Sequence, residues 1–189
     1  MLLRAAIVPP QEVLDEVGAV ARALALVPGV TAVPHSDLDI HVTGFGNLTP
    51  PDAVRLAESL ASALEGAEAP VVRFAGLVVS GTTEIALQLA GDVEPLADLA
   101  RFVSEAAEGL NIYVDRRRYR PALPIVSVAD DVSASMLQSA VRHQQSWTGQ
   151  DWPVPGLALL RTAWVKGSAE PQAFDLIRLT PPPGFAVVE

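Results

Sequence analysis

Cysteine is absent from the 189 residues, which excludes a disulfide framework, a thiolate nucleophile and any Cys-ligated zinc or iron–sulfur site. Nothing in the composition calls for an oxidising compartment, so a cytoplasmic protein is expected. Positive charge is also scarce: 13 Lys and Arg face 22 Asp and Glu, for a formal charge of −9 at pH 7. Such a chain repels polyanions as a whole, so general coating of nucleic acid is excluded and any phosphate recognition must be local. No run reaches the roughly 18 apolar residues that a membrane span requires, and the opening MLLRAAIVPP is too short for a secretion signal with its cleavage site. Membrane contact is not expected.

What remains is material for a core. Hydrophobic residues make up 50% of the chain and charged residues 19%, the profile of a folded domain rather than a disordered polymer. At roughly 150 residues per domain, the length suits one domain or two small lobes. The one basic cluster is Arg116, Arg117, Arg118 and Arg120. Guanidiniums suit bidentate phosphate contacts, although the same run also reads as a solvated face.

The hydrophobic pattern predicts a strand over residues 2–8 stopped by Pro9-Pro10, then a helix over 11–27 with Val13, Leu14, Val17, Val20, Ala21 and Leu24 on one face. A strand over 38–45 and a helix opening at Thr49-Pro50-Pro51-Asp52 follow. Residues 70–79 and 84–89 read as a hairpin around Ser80-Gly81-Thr82-Thr83. A third helix is expected over 92–108, a strand over 125–128 and a weaker helix over 133–145. The last pair of strands, 157–165 and 174–179, is expected around Lys166-Gly167-Ser168. An α+β fold follows.

The segment richest in chemistry is Asp39-Ile40-His41-Val42-Thr43-Gly44-Phe45-Gly46. On a regular strand, residues two apart share a face, so His41 and Thr43 are expected to project together while Ile40 and Val42 point inward. An imidazole that titrates near neutrality beside a hydroxyl can move a proton and hold a phosphodiester oxygen. A structural histidine remains the alternative. Four alternating residues, His35, Asp37, Asp39 and His41, would form a nitrogen and oxygen ligand set if fully extended, and that is the basis of a metal-dependent hydrolase reading. The stretch Val33 to Asp37 reads more naturally as a turn, which would scatter them, so no metal and no cofactor is expected. Gly44-Phe45-Gly46 lacks the third glycine of a dinucleotide fingerprint, and neither a GKS/T nor a GxSxG motif occurs. Trp147, Trp152 and Trp164 offer rings for stacking on bases, but core or hinge positions are the commoner use.

The His41–Thr43 run resembles the first HxT motif of the two-histidine (2H) phosphoesterases, which include the bacterial 2′-5′ RNA ligase and RNA 2′,3′-cyclic phosphodiesterase family. Ala5-Ala6-Ile7-Val8-Pro9, Val33-Pro34, Leu159-Leu160-Arg161-Thr162 and Phe174-Asp175-Leu176-Ile177 are similar to other stretches of that family. Tyr119-Arg120-Pro121-Ala122-Leu123-Pro124 resembles its second motif. The resemblance spans nearly the whole chain. It implies a bilobal α+β fold, a single domain over 1–189 with interleaved lobes. Two pseudo-twofold-related lobes of antiparallel or mixed sheet, with two helices each, would face one another across a cleft. It also implies a monomer that binds a nucleotide or RNA terminus carrying a phosphate, with His41 and Thr43 as catalytic residues.

The second motif departs from the family. Where a second His and Thr would stand, this chain has Ala122 and Pro124, so one lobe lacks both proton carrier and hydroxyl. Cyclic-phosphate hydrolysis is then expected to be reduced or altered, with a non-enzymatic phosphate-binding module as the alternative. If the strand runs back to residue 120, Arg120 shares the face of Ala122 and presents a phosphate-binding guanidinium; pairing with a neighbouring carboxylate is the other use for it. His143 is expected on a helix surface and His35 in a turn.

Overall fold

Proline and glycine punctuate the elements as their backbone chemistry requires. In the computed structural model, which describes residues 1–80, 83–115 and 119–185, β1 (Leu2–Ile7) ends before Pro9-Pro10. Pro10 then caps α1 (Gln11–Leu24), whose buried residues are the six anticipated ones. β2 (Val30–Ala32), a 3-10 turn at His35–Asp37 and β3 (Ile40–Asn47) follow. Thr49 caps α2 (Pro50–Ala63) by accepting from the Asp52 amide, with proline in the first turn where no amide is needed.

β4 (Val71–Ser80) and β5 (Glu84–Gly91) pair antiparallel, as the hairpin reading requires, although Gly81 and Thr82 of its turn lie outside the described residues. α3 (Val93–Gly109) buries Leu96, Leu99, Ala100, Val103 and Ala107. β6 (Ala122–Val128), α4 (Ala134–Gln144), β7 (Trp152–Pro153), β8 (Gly156–Val165) and β9 (Ser168–Arg178) complete the chain. β9 begins directly at Ser168, six residues ahead of the expected start, because pairing with β8 continues to the turn itself. β2 and β7 are too short to show a period and went unforeseen.

The strands form a four-stranded sheet, β3-β1-β8-β9, and a five-stranded sheet, β2-β6-β5-β4-β7. Every pairing between named strands is antiparallel, so the mixed alternative does not occur. α2 and α3 pack with the first sheet, whereas α1 and α4 pack with the second. The chain crosses between layers early: α1 follows a strand of the first sheet yet lies against β2 and β6 of the second. This produces the bilobal α+β architecture, two helices to a sheet. α4 buries no residue completely, and only Leu137, Ala140 and Val141 lean on the core.

Candidate functional site

β1 lies between β3 and β8, and its register sorts the side chains of both neighbours. Ala6 pairs with His41 on one side and Ala158 on the other, whereas Ala5 pairs with Thr43 and Leu159. Successive residues face opposite sides of a sheet, so Arg4, Ala6, His41, Ala158 and Leu160 share one face. Ala5 and Leu159 turn into the main core, while Ala6, Ala158 and Leu160 form a separate small apolar floor.

This register corrects the expected His41–Thr43 pairing. Two residues of β3 that are two apart oppose two consecutive residues of β1, so Val42 is the extra residue of a β-bulge. The bulge resets the alternation, leaving His41 exposed on the open face and sending Thr43 to the core side with 3% exposure. There its hydroxyl donates to the Asp115 carbonyl at 3.3 Å, while the Asp115 amide donates to the Gly44 carbonyl at 2.8 Å. Thr43 thus clasps the segment that flanks β3 instead of sharing the imidazole's volume.

His41 borders a cavity of about 580 Å³ whose opposite wall comes from the second sheet. Pairing of Ala86 with Pro124 and Gln88 with Ala122 places Ala122 and Pro124 on that wall. Imidazole and methyl therefore meet one volume, as the geometry inferred from the sequence required. Arg120 also lines it, but not by extending the strand: β6 starts at Ala122, whose amide turns back to the Arg120 carbonyl at 2.8 Å. Arg120 reaches the cavity wall from a turn ahead of the strand.

Both signs of charge surround this space. The Arg4 guanidinium grips Asp39 with two bonds of 2.6 Å, and the carboxylate side chain is 5% exposed. Burial pushes the Asp39 carboxyl above its ordinary 3.8, with the Arg4 fork and His41 pulling it down less strongly. Asp37, Glu84 and Asp115 also line the cavity, so the charge that an incoming anion meets is mixed. The Tyr119 hydroxyl, on the same wall, is buried without a hydrogen-bond partner among the described residues, and burial raises its pKa above the ordinary 10. Arg116, Arg117 and Arg118 lie outside the described residues.

The remaining histidines sit elsewhere. His35 belongs to the 3-10 turn and meets Gln11 at 3.1 Å, and His143 is exposed on α4, its Nδ1 2.9 Å from the Ser139 carbonyl. The turn at His35–Asp37 breaks the extended run that a four-ligand metal set needs. Among the described residues no three His, Asp or Glu side chains gather as one. Trp152 is a core residue whose ring lies tilted by 40° against Phe74, centroids 5.8 Å apart, and Trp147 leans on the core, but Trp164 stands 77% exposed. Sequence reasoning missed Arg4, Glu84 and Asp115. Arg4, a charge inside an apolar strand, was the available signal; the other two are ordinary surface acids until the chain folds.

No family model matches the sequence, and no curated protein matches it either. Solved structures do match it in shape. TT0787 of Thermus thermophilus is 20% identical, aligned over 93% of this chain and 96% of its own, with a TM-score of 0.66. E. coli LigT complexed with 3′-AMP is 13% identical, over 95% of this chain and 98% of its own, with a TM-score of 0.71. A structure described as a phosphoesterase is 14% identical over 95% and 98%, with a TM-score of 0.69. The chain therefore has the bilobal α+β fold of LigT and these other structures, the fold implied by its resemblance to the two-histidine phosphoesterases.

Proposed function

We propose that the chain is a relative of the 2′-5′ RNA ligase and cyclic phosphodiesterase proteins, binding a nucleotide or RNA-end phosphate between its sheets. One proton carrier is kept and the other replaced. The observation that carries this reading is that His41 of β3 and the pair Ala122 and Pro124 of β6 border a single cavity. Structures of LigT complexed with 3′-AMP, ATP and phosphate support the ligand class. The reading retains the expectation of a cytoplasmic monomer, a single bilobal domain with interleaved lobes.

Opening a 2′,3′-cyclic phosphate requires water to attack phosphorus while the bond from phosphorus to one ribose oxygen breaks. One group must take the water proton and another must protonate the departing alkoxide. His41 can serve one of these steps, and Arg120, always cationic, holds a non-bridging oxygen. Thr43, turned to the core side, ties the Asp115 segment to β3 and takes no part in holding the phosphate. The methyl of Ala122 and the ring of Pro124 move no proton. General acid or base help contributes about 10²–10⁴-fold, so hydrolysis is slower by that factor than in an enzyme with both imidazoles.

The test is turnover of nucleoside 2′,3′-cyclic phosphates by the wild type and by His41→Ala. Slow hydrolysis that falls at least about 10²-fold further in the variant is expected; turnover indifferent to the substitution removes His41 from the chemistry. That neither Ala122 nor Pro124 carries a titratable group favours a second reading, a binding module without catalysis. In that case wild type shows saturable, salt-sensitive nucleotide binding by calorimetry, weakened by Arg120→Ala, and no turnover.

A further inference from the structure

Arg4 is the one charged residue of β1, whose other positions are apolar. Its register partners are Gly44 and Leu160. Neither side chain offers an acceptor, and the guanidinium turns to Asp39 instead. That fork takes one N–H from each terminal nitrogen, which leaves three of the five donors of a guanidinium for other use. The pair is buried unevenly: the Asp39 side chain is 5% exposed and that of Arg4 31%. Arg4 lines the cavity of about 580 Å³ and also a second one of about 270 Å³, and His41 and Asp115 border both with it. Guanidinium and imidazole therefore stand at one boundary. Replacing a buried ion pair by apolar side chains of similar size is often neutral for stability, so the burial of Asp39 is weak evidence of a purely structural purpose. What the pair does supply is a cation with a fixed direction.

We propose that Arg4 binds the phosphate on the His41 wall, and that Asp39 holds the guanidinium in place while cancelling part of its charge. A guanidinium already clamped by a carboxylate has little side-chain freedom left to lose when an anion arrives, so its remaining donors act at low entropic cost. Arg4 and Arg120 then meet the ligand from opposite walls of the cavity. Asp39 sets the strength of this contact, because a carboxylate beside the bound anion opposes it through the same field that fixes Arg4. The inference rests on the phosphate reading above and adds to it a residue that belongs to neither HxT segment.

Arg4→Met alone would strand a buried carboxylate, so the test combines it with Asp39→Asn. Calorimetry with inorganic phosphate and with a nucleoside 3′-monophosphate compares wild type, Asp39→Asn and the double variant, each checked for folding by circular dichroism. The double variant should bind both probes at least about tenfold more weakly than wild type, the loss of a charged hydrogen-bonding partner. Asp39→Asn alone should bind both about two- to tenfold more tightly, because the amide oxygen still accepts from Arg4 while the opposing charge several ångströms from the anion is gone. An ion pair with a structural role only would shift stability in both variants and leave both affinities where they were. That result overturns the inference and leaves the phosphate reading standing. Weaker binding by Asp39→Asn overturns the role given to Asp39. If the double variant does not fold, Asp39→Asn decides alone: tighter binding supports the inference, and unchanged or weaker binding overturns it. Binding of neither probe to wild type defeats the phosphate reading, and the inference with it.

Discussion

Arg4 and Asp39 show how one ion pair conditions the site. Neither stands in an HxT motif, yet their fork runs along the face that carries His41, with the carboxylate sealed from solvent. Because burial raises the Asp39 pKa, the folded state binds its proton more tightly than the unfolded state does. Stability contributed by this group is present below the ordinary 3.8 and is lost as pH rises through the raised value. Urea denaturation of wild type and Asp39→Asn across acid pH checks the sign. Wild type should lose stability relative to the variant as pH climbs; a relative gain would mean that the Arg4 fork outweighs desolvation.

At the scale of an element, the β-bulge at Val42 decides which of two chemically similar side chains faces the cavity. The sequence pattern His-x-Thr is the same whether or not the strand is bulged. Pairing with Ala5 and Ala6 is what splits the two residues. Thr43→Val removes the hydrogen bond to the Asp115 carbonyl and should cost roughly 1 kcal/mol of stability in thermal or urea unfolding. Phosphate affinity should stay at the wild-type value, because the hydroxyl does not line the cavity. A Thr43→Val variant as stable as wild type but unable to bind phosphate would place the hydroxyl in the site after all. Arg120 carries the same lesson: its place at the cavity was legible from its nearness to Ala122, but the route, a turn rather than an extended strand, was not.

At the scale of the molecule, the site exists only because two sheets confront one another. On the proposed reading, Ala122→His with Pro124→Thr gives the second wall an imidazole and a hydroxyl. With the two walls already facing across one cavity, cyclic-phosphodiesterase turnover should rise by at least about 10²-fold over wild type. A folded double variant with unchanged turnover would show that the separation or orientation of the walls no longer suits proton transfer.

Local information sufficed for much of this. The apolar spacing of α1 and α3, the Thr49 cap and the proline stops specified those helices, because capping and a buried stripe are short-range properties of consecutive residues. That Ala122 and Pro124 carry no proton to transfer was equally plain, since no fold can supply a titratable group to a methyl or a proline ring. The tertiary structure decided which residues face one another. Sheet register turned Thr43 inward, pairing of the outer strands left Trp164 in the open, the approach of the two sheets brought Glu84 to the cavity that His41 borders, and bonds to Gly44 and Thr43 brought Asp115 there. Those outcomes depend on hydrogen-bonded partners far apart in the chain, and a one-residue offset in such a ladder reverses a side chain's direction without altering a single letter of the sequence.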